Sequence, residues 1–491
     1  MKVLLVIPIM GYLNKESSPL SISDFPTGFA YIAAALKQAG HEVIGLNLNN
    51  TKAYINNRFM LQELLTRAII DHNPQLIGLG GLCVDYQFIK DAIAFIRRAT
   101  PAPIVLGGQI VTNDPEFIFN HLKPNYTVVG DGEDAMLGIA GGRFQPGIVQ
   151  GTLSKVDDLP FPDYSPFNVN DMMDNHSQDT RLLYRYSRPD ARPFVIVASR
   201  DCPFSCDFCK DHHGIYRPRS IVSIMAEIKE TYKKYKYNVL IINDELFAVN
   251  KKRLNDFSNA MLEGKEKYGW DFDWMFQTHA SAKLDIESLH LARKAGCYLF
   301  SYGLESAAPE VLKNIGKKIQ IPKVIEAIEM ARVAKLGFAA NLIFGDPAET
   351  KETFAESLSF WLKYGQRAFI FLGDMRPYPG SQIFNYCLEN KIISSKEDFY
   401  EHIDEKIINM TAIPDEDYKH MLGLISHLEQ GWLFVAKTEG KTEGLGKIAA
   451  RCPYCGETSI YQKTIPELPF MLGVGCTHCG QRIKVIVGGG A

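Results

Sequence analysis

Three cysteines, Cys202, Cys206 and Cys209, stand in one short run, Ser199-Arg-Asp-Cys-Pro-Phe-Ser-Cys-Asp-Phe-Cys-Lys210. The spacing is C-x3-C-x2-C, and an aromatic residue, Phe208, precedes the last cysteine. Three thiolates this close on one loop can hold three irons of a [4Fe–4S] cube, and the fourth iron is then open to a substrate or cofactor. The alternative is a zinc site, which ordinarily wants four ligands in paired knuckles. Four other cysteines do form such pairs: Cys452-Pro-Tyr-Cys455-Gly456 and Cys476-Thr-His-Cys479-Gly480, with 20 residues between them. Four thiolates make a closed tetrahedral site for zinc, with rubredoxin-like iron as the chemical rival. A module of this size lacks a sufficient core, so the metal reads first as a staple. A clamp on substrate or partner is the other reading. The preceding run Thr438–Gly446 is rich in glycine and charge and reads as a flexible tether.

The cysteine loop needs a strand to deliver it. Phe194–Ala198 is that strand, and βα alternation continues to Phe369–Leu372, which predicts a partial (βα)6 barrel with its chemistry at the carboxyl ends of the strands. The first 140 residues alternate five short apolar strands with amphipathic helices and predict a doubly wound parallel sheet. Its strand ends carry Gly80-Gly81, Gly107-Gly108-Gln109 and Gly130-Asp-Gly132, and glycines let a bulky planar ligand approach the backbone closely. Between the two, Val156–Tyr164 is punctuated by proline, and Asn168–Tyr186 is polar without a clear period. The expected division is residues 1–140, a connector 141–190, a barrel 191–400, a helical segment and tether 401–446, and a ribbon 447–491.

The cysteine run resembles the signature of the radical S-adenosylmethionine (SAM) enzymes. Phe25–Leu36, Ile104–Gln109 and Val128–Glu133 resemble the cobalamin-binding domain of one large subgroup of that family. The chain is thereby identified as a member of the cobalamin-dependent radical SAM enzymes, with an added ribbon. The resemblance implies a cluster whose open iron binds SAM, cobalamin at Gly80, Gly81, Gly107, Gly108, Gln109, Gly130 and Gly132, and SAM contacts at Asp244, Glu245, Glu305, Ser306 and Gly345. Gly373-Asp-Met-Arg-Pro-Tyr-Pro-Gly380 resembles a turn of the subgroup, which makes Asp374, Arg376 and Tyr378 the catalytic candidates. The D-x-H-x-x-G motif that places a histidine beneath cobalt in mutase-type domains is absent after the first strand, so the lower face is expected to lack a protein imidazole. His212 and His213 read as surface-loop residues, and Arg217 and Arg219 either neutralise cofactor charge or lead into the next helix.

The implied reaction is methylation of an unactivated carbon of a small molecule, through a 5′-deoxyadenosyl radical and methylcobalamin. Oxidative cyclisation or rearrangement is the alternative, and a non-catalytic cobalamin-binding regulator is a third. The implied partner is an external electron donor such as flavodoxin or ferredoxin. A net charge of −3 gives no general attraction to nucleic acid or to anionic membrane. Arg451, Lys463, Arg482 and Lys484 make only a thin basic face on the ribbon. No apolar run reaches the ~18 residues of a spanning helix. Seven of ten cysteines fall in ligand-like clusters, the usage of a reducing compartment, so a cytoplasmic location is expected.

Overall fold

The structure is a computed structural model. It describes residues 1–9, 12, 25–50, 57–175, 188, 191–209, 215–403, 407–431, 435–442, 447–462 and 471–487. The chain divides into two compact units, the first being 1–175 with 208–211 and 377–408, the second 176–207 with 212–376 and 409–491.

The first unit contains a parallel sheet. Its strands are β1 (Lys2–Ile7), β2 (Glu42–Asn47), β3 (Leu76–Gly80), β4 (Ile104–Gly107), β5 (Tyr126–Val129) and β6 (Gly147–Gln150), in the order β2-β1-β3-β4-β5-β6. β1 and β3 are almost wholly buried, as strands covered on both faces must be. The helices Thr27–Gln38, Arg58–His72 and Tyr86–Ala99 supply the crossovers. Strand order reverses between β1 and β3, which opens the ligand crevice at their carboxyl ends. The sixth strand lies beyond the five expected. It is four residues long with only Ile148 and Val149 apolar, too little for a period to register.

The second unit holds six parallel strands hydrogen-bonded in chain order. They are β7 (Pro193–Ile196), β8 (Val239–Ile242), β9 (Asp273–Thr278), β10 (Cys297–Glu305), β11 (Gly337–Phe344) and β12 (Phe369–Asp374). β7 and β12 remain edges, so the barrel is partial as expected. Bulky residues such as Trp274, Phe276, Phe300 and Phe338 are fully or almost fully buried on the helix side. Alternation then sends Gln277, Ser301, Asn341 and Phe371 to the other face.

Two segments differ from the sequence reading. Pro377–Ile408 groups with the first unit. There Glu401 accepts hydrogen bonds from Gln87 Nε2 (2.8 Å) and Lys90 Nζ (2.5 Å), and Tyr400 stacks on Phe117. The expected tether is also no tether over its first half. Lys437–Thr442 is strand β13 of a five-stranded sheet with β14 (Lys447–Arg451), β15 (Thr458–Gln462), β16 (Met471–Gly475) and β17 (Arg482–Val487). Gly440 is there because a Cβ would meet Ile448 and Val485 at 2.5 and 2.6 Å, so the glycine answers to packing rather than flexibility. Residues 443–446 lie outside the described residues, as does Lys463.

Candidate active site and metal centre

The cysteine loop is fastened at its entry. Asp244, at the end of β8, accepts from Ala198 N (2.7 Å) and Ser199 Oγ (2.6 Å). Arg253 donates to Ala198 O (3.0 Å), and Arg219 donates to Val197 O (2.9 Å) while paired with the buried carboxylate of Glu227. Arg217 pairs with Asp201 at 2.6 Å, and Asp201 itself has a φ of 63°. Burial pushes the Asp244 carboxyl up to about 6. Asp244, expected to meet SAM, is thus buried with both oxygens bonded, and Glu245 beside it is the exposed carboxylate. Arg217 and Arg219 brace the loop. His212 and His213 lie outside the described residues.

Beyond the entry, the loop rests on the turn Asn314–Lys317. Asp207 N donates to Ile315 O (3.2 Å), and a Cβ on Gly316 would meet Ser205 O at 3.4 Å. Lys317 is a buried charge beside the loop that the sequence reading missed. It is 8% exposed and its Nζ donates to Glu305 Oε1 at 2.6 Å. Burial raises the Cys202 and Cys206 thiols, and the Lys317 charge pulls both the other way. A lysine in a run of three, Lys313, Lys317 and Lys318, gives the sequence no reason to single one out. All three loop cysteines are free thiols, with Cys209 exposed, so the donor set fits an iron cluster.

Glu305 closes β10 in the left-handed region, φ 68°, after a register shift between Tyr302 and Glu305. Ser306 is turned inward, with Oγ 3.1 Å from Ser357 Oγ and accepting from Ala308 N, so it supports the turn. Gly345 has φ 112°, and the Tyr418 hydroxyl sits where a Cβ would be. That hydroxyl is buried and has no hydrogen-bond partner among the described residues. Gly345 N donates to Glu349 Oε2 (3.4 Å) and Thr353 Oγ1 to Glu349 Oε1 (2.7 Å). Asp374 and Arg376, at the end of β12, pair at 3.0 Å and are both half-exposed. Tyr378 lies in the other compact unit, where its carbonyl accepts from Ser381 N and Oγ. On the open strand face, Gln277 pairs in register with Ser301 and Asn341 with Phe371. One polar residue between apolar or aromatic neighbours, as in Phe300-Ser301-Tyr302 or Ala340-Asn341-Leu342, was the available signal.

Glu349 carries a pH prediction. Burial lifts its carboxyl from 4.5 to about 7. A folded value above the unfolded one means that folding takes up a proton, so this group disfavours folding increasingly as pH climbs from 4.5 through 7. The size is on the order of 3 kcal/mol. Glu349→Gln is expected to remove that fall, making the variant's advantage over wild type grow between pH 5 and pH 8 in urea denaturation. A difference independent of pH would contradict it.

In the first unit the glycine loops form one cradle. A Cβ on Gly108 (φ 86°) would strike Gly81 N and O at 2.6 Å, and Ile110 N donates to Gly81 O (3.1 Å). Gly130 N donates to Thr112 Oγ1 (3.0 Å), tying the third loop to the second. At Gly107 a Cβ would meet only Val128, at 3.9 Å, so the strand end is open there. Leu82 and Val84 are exposed apolar residues just past β3. Backbone amides, open glycine and exposed aliphatic side chains at a switch point fit a corrin. The loop after β1, where a lower histidine would be sought, lies almost wholly outside the described residues.

Comparison with known proteins gives this arrangement its family. The B12-binding domain family matches residues 25–140 and the radical SAM superfamily matches residues 196–360. The chain is a B12-binding radical SAM protein. An uncharacterized methyltransferase of Pyrococcus horikoshii is 25% identical over 428 residues, 80% of this chain and 84% of that one. The anaerobic magnesium-protoporphyrin IX monomethyl ester cyclase of Cereibacter sphaeroides is 24% identical over 353 residues, 68% of this chain and 55% of that one. The radical SAM methyltransferase TsrM of Kitasatospora setae, solved with cobalamin and a [4Fe-4S] cluster bound, superposes with a TM-score of 0.59 at 17% identity, over 79% of this chain and 75% of that one. The two domains of this radical SAM protein account for the cradle and the cysteine loop, and the cofactors are cobalamin, SAM and a [4Fe-4S] cluster. Among the described residues no helix is long and apolar enough to cross a membrane.

The ribbon has its own centre. The sulfurs of Cys452, Cys455, Cys476 and Cys479 all lie within 4.8 Å of one another. Cys452 and Cys479 are 3.8 Å apart and Cys455 and Cys476 3.7 Å. A tetrahedron with metal–sulfur bonds of about 2.3 Å has edges of roughly 3.8 Å. Tyr454 N points at Cys452 Sγ (3.4 Å), and Ile448, Tyr461, Val474, Ile483 and Val485 pack around the thiols.

Proposed function

We propose that the protein is a methyltransferase that places a methyl group on an unactivated carbon of a small-molecule substrate, using SAM, cobalamin and the [4Fe–4S] cluster together. The observation that carries this reading is one chain holding both a corrin-shaped glycine cradle at a switch point and a braced three-cysteine loop beside the Lys317–Glu305 pair. The cofactors supply reductive opening of a sulfonium and a cobalt-borne methyl group; the protein's part is to bind, orient and exclude. Cys202, Cys206 and Cys209 hold the cluster. Glu245 is placed to meet an ammonium group and Glu305 a ribose diol, because a carboxylate accepts two hydrogen bonds. Lys317 holds Glu305 in line and adds a positive charge to a half-buried site. Gly345, whose Cβ position the Tyr418 hydroxyl takes, is assigned to SAM through its backbone. Asp374, Arg376 and Tyr378, with Gln277, Ser301, Asn341 and Phe371, are assigned to substrate. The four-thiolate centre is assigned to zinc. An external one-electron donor and a reducing compartment complete the reading.

Cyclisation is the second reading, favoured by the relative from Cereibacter. Anaerobic reconstitution with SAM and hydroxocobalamin, followed by mass spectrometry with candidate substrates, separates the two. 5′-Deoxyadenosine together with S-adenosylhomocysteine supports methylation; deoxyadenosine alone supports cyclisation or rearrangement; neither product overturns both.

The cradle has a separate test. A Cβ at Gly107 meets nothing nearer than Val128 at 3.9 Å, so Gly107→Leu, which puts a branched side chain at the open strand end, is expected to keep its melting temperature and to lose corrinoid through gel filtration. Wild type is expected to retain it, with no nitrogen coupling from a protein imidazole in the Co(II) spectrum. Retention by the variant equal to wild type would place the corrin elsewhere.

A further inference from the structure

The wall behind the cysteine loop carries unpaired positive charge. The turn Asn314–Lys317, on which Ser205 and Asp207 rest, is flanked by the exposed Lys313 and Lys318. A cavity of about 330 Å³ opens nearby, lined by His279, Lys283, Phe300, Tyr302, Lys323 and Met330 among others. Its His279 ring stacks against Phe204 of the cysteine loop, with centroids 4.2 Å apart. Burial, with Lys317 close by, pushes the His279 imidazole down to about 4, so it is neutral at pH 7. Among the described residues Lys283, Lys313 and Lys318 have no ion-pair partner, and Lys323 holds only Glu326, at 2.7 Å. Two exposed lysines, Lys283 and Lys323, thus line the cavity whose His279 lies against Phe204, and two more, Lys313 and Lys318, flank the turn that the cysteine loop rests on.

We infer that this face, with Lys283 and Lys323 at the His279 cavity and Lys313 and Lys318 beside the turn Asn314–Lys317, is the docking surface for an acidic one-electron donor protein. The inference rests on the proposed function, because only a cluster that must be reduced needs such a partner. One electron leaves the donor's flavin hydroquinone, which becomes the semiquinone, and enters the [4Fe–4S]2+ cluster, which becomes [4Fe–4S]1+. Electron transfer falls steeply with distance, and the turn Asn314–Lys317 touches the cysteine loop directly at Ser205 and Asp207. Exposed cations beside an apolar patch are the form in which charge steers encounter while apolar contact fixes the pose. The overall charge of −3 repels an acidic partner elsewhere, so the patch must act locally.

The test uses the full-length holoprotein and oxidised flavodoxin as probe, with binding measured by calorimetry at two ionic strengths. The variant Lys283→Glu/Lys313→Glu/Lys318→Glu/Lys323→Glu is expected to bind flavodoxin at least about tenfold more weakly, with a flattened salt dependence. A control carrying Lys229→Glu, Lys233→Glu, Lys234→Glu and Lys236→Glu on the helix Ile221–Tyr235 changes net charge equally and is expected to bind within about twofold of wild type. Equal weakening in both would reduce the effect to net charge and overturn the surface; unchanged binding in the first would do the same. With dithionite as reductant, the first variant is expected to form 5′-deoxyadenosine as fast as wild type. Failure of wild type to form it with dithionite would instead sink the proposed function, so the two failures are distinct.

Discussion

Replacing Cys202, Cys206 and Cys209 together with alanine is expected to abolish the iron–sulfur absorption and reduce SAM cleavage to background, with one metal ion per chain retained in the ribbon. The expectation follows from segregation of the thiols. Cys452, Cys455, Cys476 and Cys479 form a closed set with tetrahedral edges, surrounded by their own apolar core, and share no residue with the loop. The loop is also braced from outside its cysteines, through Asp244, Arg219 and Arg253 to the backbone of Val197–Ser199. Alanine at the three positions therefore removes the donors without removing the struts, and the variant is expected to melt near wild type once both are compared without iron. Cobalamin retention is expected to persist, since the cradle draws on Gly81, Gly107, Gly108 and Thr112. SAM cleavage by the triple variant under strong reduction would refute the assignment.

Much of this was legible because it is written in local patterns. C-x3-C-x2-C and paired C-x2-C need only spacing, and parallel strands covered on both faces need only apolar runs such as Lys2–Ile7 and Val239–Ile242. The place of Glu305 at a strand end was legible from the apolar run before it and the nearby Gly303. What escaped depended on tertiary partners. Asp244 and Glu245 are adjacent acids of one type, and only the distances from Asp244 to Ala198 N and Ser199 Oγ separate brace from candidate ligand. Ser306 read as a ligand because it follows Glu305, yet alternation and Ser357 turn it inward. Lys317 was hidden among neighbouring lysines, since burial, which composition does not encode, sets it apart. The strand Lys437–Thr442 was hidden by its own composition. One glycine, two lysines and a glutamate in six residues look like a linker until Ile448 and Val485 are seen to occupy the space a side chain would need.

That strand changes what removal of the ribbon should do. A freely tethered module, as its composition suggested, would leave the barrel untouched when cut away. The structure instead seats the ribbon against the amino ends of the barrel strands, the end remote from the carboxyl-end chemistry. Arg482 N donates to Arg367 O (2.9 Å), and Arg293 Nη2 donates to Thr477 O (3.0 Å). The Arg482 guanidinium lies over Phe369 (4.8 Å) and Arg367 over Tyr454 (4.6 Å), contacts of the cation–π kind. Gly480 meets the backbone of Leu336 and Gly337 so closely that no Cβ fits. Without the ribbon, Phe369 at the start of β12 would lose the cover of Arg482, itself 2% exposed. Conservation of this end of a barrel serves stability rather than catalysis. Removing the metal withdraws folding free energy of order 10 kcal/mol from a module that has little else to hold it. Chelation, or truncation before Lys437, is therefore expected to lower the barrel's melting temperature by roughly 5–10 °C, equivalent to a few kcal/mol at this size. The cradle of the first unit, measured by corrinoid retention, is expected to be unaffected. SAM cleavage in what remains folded is expected to persist below the new transition, because the cysteine loop, Lys317 and Glu305 lie at the opposite strand ends. An unchanged melting temperature after chelation would show that the seat contributes nothing. Loss of SAM cleavage at a temperature where the truncated barrel is still folded would show that the ribbon acts on the chemistry from a distance.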